Sequence, residues 1–276
     1  MKEKHKIGAI QMATGPNVSA NLFEAERLVR EVVEEGAKLV VLPENFAFMG
    51  QEDRDQLAVC EANGDGPLQS FLARLARQLG IWLVGGTIPL KANDPERVRA
   101  ACLVFDDHGE RVARYDKIHL FDVNLPGLDE RYHESAVIEP GSTPVVVESP
   151  FGRIGLAVCY DLRFPELFRR LLDEDAEILV VPSAFTAVTG KAHWESLLRA
   201  RAIENLAYVV AAAQGGFHVN GRETHGHSLI IDPWGTVLAE VPRGSGHVQA
   251  TIDREFLESV RRSFPTISHR RLKCDA

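Results

Sequence analysis

The chain has 276 residues, of which 45% are hydrophobic and 25% charged, and its formal net charge is -8. This composition is that of a globular protein, and a negative charge without any block of Lys and Arg argues against nucleic acid or an anionic membrane as a partner. No apolar stretch approaches the roughly 20 residues that a membrane-spanning helix needs. Residues 1–6 are charged and carry no apolar signal region, and the four cysteines form no Cys-x-x-Cys pair. We therefore expect a reduced, cytoplasmic protein.

Hydrophobic periodicity predicts alternating strands and helices in the first part of the chain. Residues 39–42 form a continuous apolar run, which is typical of a strand that is covered on both faces. Gly36 is expected to end the helix before it. The predicted elements are a strand at 6–13, a helix at 21–35, a strand at 39–42, a helix at 68–78, a strand at 81–88 and a hairpin of 100–106 with 111–116.

A long polar segment, residues 117–144, has little periodicity, and loops of this length in a compact domain are usually functional. Strands and helices resume after it and end before an irregular tail at 264–276. The predicted elements are a strand–helix unit at 153–172, a strand at 177–181, a helix at 192–205, strands at 208–213, 228–233, 237–241 and 247–253, and a helix at 254–261. Nothing resembles a linker, so we expect one domain, 1–276.

Two parts of the chain are similar to each other. Residues 7–12 parallel 154–159, and residues 37–46 parallel 176–185. The similarity could reflect generic strand patterning, but it could also reflect a repeated strand, helix and second buried strand. Two sheets built on such units, packed face to face with helices outside, form a four-layer αββα sandwich with a pseudo-two-fold axis.

Cys159 lies where a buried strand passes into a helix. A sharp turn there would lift the thiol out of the sheet and direct the following N–H groups at the atom that the sulfur attacks. Nearby helical N–H groups also favour the thiolate. A lone cysteine in an apolar run is otherwise typical of a buried structural residue, so the assignment depends on what else the chain supplies.

Three charged residues could complete the chemistry. Glu44 follows the buried strand at 39–42, Lys117 follows the hairpin, and Glu134 lies in the long loop. A nucleophilic thiol needs a proton acceptor, a tetrahedral oxyanion needs positive charge, and a leaving amine needs a proton. Where two carboxylates share one ammonium, a surplus negative charge remains, so one of the carboxylates should be easy to protonate. Taken singly, each of the three is also typical of an exposed loop residue.

Glu44 in Leu-Pro-Glu-Asn, Lys117 in Asp-Lys-Ile-His-Leu and Cys159 in Gly-Leu-Ala-Val-Cys-Tyr-Asp-Leu-Arg-Phe-Pro-Glu resemble the Glu-Lys-Cys triad of the nitrilase superfamily, the carbon–nitrogen hydrolases. The resemblance runs from about residue 5 to residue 271. It implies an α/β fold of the αββα type with two mixed sheets, and a supporting role for Glu134. It also implies that Glu44 is the base, that Lys117 and the Tyr160 N–H bind the oxyanion, and that the reaction passes through a Cys159 thioester without a cofactor.

Within the superfamily, several stretches resemble the deaminated glutathione amidase branch, including 190–204, 226–236 and 269–271. This implies a small amide substrate that bears a carboxylate, and a homodimer or higher homo-oligomer with the helix after Cys159 and the tail at its interface. Alternatives are an ω-amidase acting on 2-oxoglutaramate-like acids, an N-carbamoyl amino acid amidohydrolase, or a non-catalytic interaction protein on the same scaffold.

Candidate substrate-binding residues follow from the strand ends and from the repeat, which puts residues 183–186 opposite Glu44. Arg163 could clamp the substrate carboxylate or form a structural ion pair. Aromatic residues could line the pocket or pack in the core. The candidates are Arg163, Ser183, Phe185, Thr186 and Phe48. His225 and His227 are close in sequence, but no further ligands complete a site, so no metal is expected.

Overall fold

The computed structural model describes residues 4–124 and 131–272. Within these ranges the chain forms 15 strands and five α-helices. The strands are β1 (Lys4–Gln11), β2 (Ala37–Val41), β3 (Trp82–Val84), β4 (Ile88–Lys91), β5 (Val98–Phe105), β6 (Arg111–Asp116), β7 (Asp122–Asn124), β8 (Arg131–His133), β9 (Val146–Ser149), β10 (Gly152–Leu156), β11 (Ile178–Val180), β12 (Tyr208–Ala211), β13 (Ser228–Ile231), β14 (Val237–Val241) and β15 (Gly246–Asp253). The helices are α1 (Val18–Glu34), α2 (Pro67–Leu79), α3 (Pro165–Asp173), α4 (Ala187–Asn205) and α5 (Arg254–Ser263).

The strands build two mixed sheets and a small ribbon. The first sheet has the order β15-β1-β2-β3-β5-β4, with β6 paired to β5, and the second has the order β14-β13-β12-β11-β10-β9. In each sheet three neighbouring strands are parallel, β1-β2-β3 and β10-β11-β12, and the others pair antiparallel. Strands β7 and β8 form the ribbon. The units β1-α1-β2 and β10-α3-β11 therefore share one topology, as the internal similarity predicts.

Side chains of β2 alternate between two apolar layers, which explains its unbroken hydrophobic sequence. Leu39 and Val41 belong to the core between the two sheets, whereas Val40 belongs to a second core beneath α1 and α2. Helices α3 and α4 pack on the outer face of the second sheet, where Phe168 and Leu198 are fully buried. The predicted four-layer α/β sandwich is confirmed. No helix among the described residues is both long enough and apolar enough to span a membrane.

Local differences from the prediction have identifiable causes. The strand predicted at 81–88 is two strands, β3 and β4, because the chain breaks at residues 85–87. Gly86 has φ +56 there, and a Cβ on it would lie 2.0 Å from the Pro43 carbonyl oxygen. Helix α4 begins at Ala187, five residues earlier than predicted, because the Thr186 hydroxyl caps it by accepting a hydrogen bond from the Thr189 N–H at 3.2 Å. Strand β9 has no counterpart in the prediction.

Candidate active site

The predicted residues meet in one cavity at the carboxyl ends of strands from both sheets. Glu44 follows β2, Lys117 follows β6 directly and Cys159 follows β10, and all three line this cavity together with Glu134. The cavity is where the rule for open α/β sheets places ligand sites. Sequence positions more than 100 residues apart are thus brought to a common wall.

The Lys117 ammonium group lies between Glu44 and Glu134, and the Lys117 side chain is only 2% exposed. Its Nζ lies 2.8 Å from Glu44 Oε1 and 2.7 and 2.9 Å from the two oxygens of Glu134. Glu134 Oε2 also accepts a hydrogen bond from the Phe121 N–H at 2.6 Å. Both Glu134 oxygens are therefore engaged, whereas Glu44 meets the ammonium through one oxygen.

Backbone contacts hold the two strand ends in place. The Glu44 carbonyl accepts a hydrogen bond from the buried Gln214 side chain at 2.9 Å. The Lys117 N–H donates to Ala100 O at 3.0 Å, and its carbonyl accepts from the Gly141 N–H at 2.8 Å. A Cβ at Gly141 would lie 2.1 Å from the Asp116 carbonyl oxygen, so a glycine is required where the long loop returns to Lys117.

Cys159 lies on a tight turn between β10 and α3. Its backbone has φ +50, a left-handed conformation that is unusual for a residue with a side chain. Its N–H donates to Pro182 O at 2.9 Å, which ties the turn to the end of β11. A short 3-10 helix, Cys159–Arg163, follows. The turn predicted from the sequence is therefore present, and Cys159, which is 8% exposed, lines the cavity.

At Cys159 other effects outweigh the N–H groups that were expected to favour the thiolate. Burial, and then the Glu44 carboxylate, raise the pKa of the thiol well above its usual value, although Lys117 and the Ala184 N–H act in the opposite direction. Burial alone would lower the pKa of Lys117, but Glu134, Glu44 and Cys159 raise it, so Lys117 stays an ammonium. Burial and the Glu44 charge raise the pKa of Glu134 against the effect of Lys117. Glu134 therefore holds a proton more readily than an isolated glutamate, in agreement with the expectation that one of the two carboxylates is easy to protonate.

These pKa directions predict how Cys159 reacts with iodoacetamide. Only the thiolate alkylates, and the pKa is raised, so the rate should be low at pH 7 and should still be increasing above pH 9. The rate would be followed by peptide mass spectrometry across this range. A plateau reached below pH 8 would contradict the assignment. Cys102 serves as the internal reference, because burial raises its pKa to about 12; Cys274 lies outside the described residues.

The substrate-binding candidates divide into two groups. Arg163, Phe185 and Thr186 line the cavity, as does Tyr160, whose N–H is expected to bind the oxyanion. Ser183 and Phe48 are not among its lining residues, which corrects the prediction. Ser183 is fully buried and its hydroxyl donates to Val181 O at 3.2 Å, while the Phe48 N–H closes a turn onto Asn45 O and the next residue, Met49, lines the cavity instead.

Other lining residues were not predicted, because they lie in stretches without periodic pattern. Arg222 donates two hydrogen bonds to Asp53, at 2.8 and 3.0 Å, and its guanidinium lies 4.9 Å from the centre of the Tyr132 ring.

Arg163 differs from Arg222 in its partners. Its guanidinium lies over the rings of Tyr160 and Phe185, at 5.8 and 5.2 Å. It is 3.2 Å from His193 Nδ1, and no described carboxylate forms an ion pair with it.

The histidines singled out in the sequence lie elsewhere. The rings of His225 and His227 stack with centroids 4.3 Å apart, and His227 Nδ1 lies 2.5 Å from Glu240 Oε1. Among residues 4–124 and 131–272, no group of three or more His, Cys, Asp and Glu side chains has the arrangement of a metal site.

Comparison with known proteins identifies the family. The carbon–nitrogen hydrolase family model matches residues 6–262. The chain is 44% identical over 266 residues to a deaminated glutathione amidase of Synechocystis sp. strain PCC 6803, covering 95% of this chain and 96% of that protein. The structure superposes on Caenorhabditis elegans NitFhit with a TM-score of 0.87 and 38% identity, covering 97% of this chain but only 65% of that longer one.

It also superposes on Saccharomyces cerevisiae Nit3, described as a member of branch 10 of the nitrilase superfamily, with a TM-score of 0.88 and 31% identity over 98% of this chain and 97% of that one. The resemblance read from the Cys159 motif is thus confirmed at the level of the whole chain. This chain belongs to the carbon–nitrogen hydrolase family, within the nitrilase superfamily.

Proposed function

We propose that this protein is a thiol amidase whose substrate is deaminated glutathione. The observation that carries the proposal is the Lys117 ammonium held between Glu44 and Glu134 in the cavity that also contains the Cys159 thiol. The identity of relatives such as the Synechocystis amidase supports the choice of substrate. In deaminated glutathione an oxo group replaces the amino group of the glutamyl part, and the amide to be cleaved joins a 2-oxoglutaryl group to cysteinylglycine.

The first half of the reaction forms a thioester. Glu44 removes the proton of the Cys159 thiol as the sulfur attacks the amide carbon, which is required because the thiol is neutral at rest. The oxyanion is stabilised by the Lys117 ammonium and the Tyr160 N–H. Protonated Glu44 then returns the proton to the leaving nitrogen, the C–N bond breaks, and cysteinylglycine departs with the acyl group left on sulfur.

The second half hydrolyses the thioester. Glu44, again a carboxylate, takes a proton from water, whose oxygen attacks the thioester carbon at the same oxyanion site. The C–S bond breaks, the proton returns to the sulfur, and 2-oxoglutarate is released. Glu134 holds Lys117 through both of its oxygens, so the ammonium keeps its position while Glu44 gains and loses a proton.

Arg163 is the cation proposed to bind a substrate carboxylate, because Lys117 and Arg222 already have carboxylate partners. Replacing Arg163 by Gln should raise KM about 10- to 100-fold with a smaller change in kcat, since a hydrogen bond to a charged group contributes roughly 1.5–3 kcal/mol. Steady-state kinetics on the purified variant measure both constants. The matched control is Arg169→Gln, whose guanidinium pairs with Glu204 away from the cavity. An unchanged KM in Arg163→Gln would contradict the clamp.

The substrate assignment is tested by comparing three compounds. Deaminated glutathione should give the highest kcat/KM, measured as released primary amine. The comparison arms are 2-oxoglutaramate and an N-carbamoyl amino acid, measured as released ammonia. A higher kcat/KM for either would assign the protein to the ω-amidase or carbamoyl hydrolase class, and no hydrolysis of any would favour a non-catalytic protein.

We also propose a homodimer, with α3, the helix after Cys159, and the tail at its interface. Trp234 and Phe264 are 57% and 47% exposed, and their ring centroids are 5.5 Å apart beside α5. Arg270 pairs with Asp173 and so ties the tail to the end of α3. Light scattering would measure the mass, and a monomer at micromolar concentration would contradict the proposal. A cytoplasmic location remains a prediction from the cysteine pattern.

A further inference from the structure

Asp161 is a fully buried carboxylate two residues after Cys159, and the chemistry described above does not use it. Its Oδ2 accepts hydrogen bonds from the Val158 N–H at 2.8 Å and the Tyr115 hydroxyl at 2.6 Å. Its Oδ1 accepts from the His119 N–H at 3.0 Å and lies 2.7 Å from His119 Nδ1. Asp161 is not among the residues that line the cavity, so its carboxylate faces the protein and not the substrate.

Two of the Asp161 contacts bracket the nucleophile. The Val158 N–H donates to the Asp161 side chain, and the Asp161 N–H donates to the Val158 carbonyl at 3.0 Å. Cys159 and Tyr160 lie between these two bonds. Cys159 has φ +50, a conformation that persists only where surrounding contacts impose it. The pair of bonds therefore fixes both the direction of the sulfur and the direction of the Tyr160 N–H.

The other contacts reach the segment that carries the ammonium. Tyr115 lies two residues before Lys117 and His119 two residues after it, so one carboxylate holds both flanks of Lys117. The His119 ring also stacks on Phe164, with centroids 3.7 Å apart and planes 7° apart, next to the start of α3. Burial and the Asp161 charge raise the pKa of Tyr115, so its hydroxyl remains a donor.

We propose that Asp161 is a positioning residue that fixes the Cys159 turn relative to the Lys117 segment. Both are joined to the one Asp161 carboxylate, so the sulfur, the Tyr160 N–H and the ammonium keep one mutual geometry. The inference rests on the proposed function, because it concerns the alignment of the groups proposed to attack the amide and to bind the oxyanion.

The test is Asp161→Asn. In either orientation the amide nitrogen faces a backbone N–H donor, of Val158 or of His119, so at least one of the backbone hydrogen bonds to this side chain is lost. We expect kcat to fall on the order of 10²-fold, the cost of a misplacement of about 1 Å, with KM changed less than about threefold. The pH profile of Cys159 alkylation should move to lower pH, because a loosened turn relieves the burial that raises the pKa of the thiol.

Tyr115→Phe provides a second variant in case Asp161→Asn does not fold. It removes one attachment to the Lys117 segment and leaves the Val158 bonds intact, so we expect a smaller fall in kcat, again without a matching change in KM. The double variant should lose less than the product of the two single effects, because both changes act on the same network of hydrogen bonds. The matched control is Tyr208→Phe on β12, which removes a buried hydroxyl that is hydrogen-bonded to the Asp253 backbone and does not line the cavity.

The Tyr208→Phe control should lower the midpoint of thermal unfolding and leave kcat and the pH profile of Cys159 alkylation unchanged. If Asp161→Asn or Tyr115→Phe behaves like the control, with lower stability but an unchanged profile and kcat, the residue is only structural and the proposal is overturned. The alkylation profile needs no substrate. A wild-type protein without amidase activity would therefore refute the proposed function, while the profiles would still decide the role of Asp161.

Discussion

Replacing Cys159 by alanine is expected to abolish hydrolysis of the amide while leaving the fold intact. The proposed route passes through a covalent bond to the sulfur, which alanine lacks; loss of the nucleophile in a hydrolase triad typically costs on the order of 10⁶ in kcat. Amine release from deaminated glutathione, followed over hours at high enzyme concentration, would detect residual turnover.

The matched control is Cys60→Ala, a change at a half-buried thiol whose sulfur lies near the Glu61 carbonyl. It should keep kcat within about twofold of the wild type, because small changes away from strained or catalytic positions have small effects. Turnover by the Cys159→Ala variant at even a hundredth of the wild-type rate would mean that a different group attacks the substrate.

Glu44→Gln should produce two opposite effects. The amide can still accept a hydrogen bond from Lys117, but it cannot take a proton, so kcat should fall about 10²- to 10⁴-fold. The Glu44 charge raises the pKa of the Cys159 thiol, so its removal should make alkylation at neutral pH faster. A lower kcat together with faster alkylation of Cys159 would indicate that the variant has lost the base, whereas a loss of structure would not make the thiol more reactive in this way. Parallel decreases in both rates would contradict the assignment.

Glu134→Gln is the control for this prediction, because it changes the other carboxylate on the same ammonium. Glu134 meets Lys117 and the Phe121 N–H instead of the thiol. The variant should therefore lose some activity but should leave the alkylation profile of Cys159 where it is in the wild type.

Much of the architecture could be predicted because it depends on local pattern. The unbroken apolar run of β2 has to be covered on both faces, and its two layers of contacts follow from alternation along the strand. The strand-end positions of Glu44 and Lys117 then indicate a common edge. The Cys159 turn could be predicted because an apolar strand pattern gives way there to a helical one.

The remaining features depend on contacts between distant segments. The break before β4 follows from the approach of Gly86 to Pro43, and the neutral thiol follows from burial next to Glu44. The four contacts of Asp161 join residues up to 46 positions apart. A carboxylate two residues after the predicted nucleophile was a signal that could have pointed to this residue, but its partners cannot be read from the sequence.

The proposed mechanism requires a covalent acyl group on Cys159. Wild-type enzyme would be mixed with deaminated glutathione, quenched in acid within milliseconds to seconds, digested and mapped by mass spectrometry. We expect an acyl adduct on the Cys159 peptide that forms before 2-oxoglutarate appears and decays as 2-oxoglutarate accumulates. An adduct on another residue, or none while product is released at full rate, would contradict it.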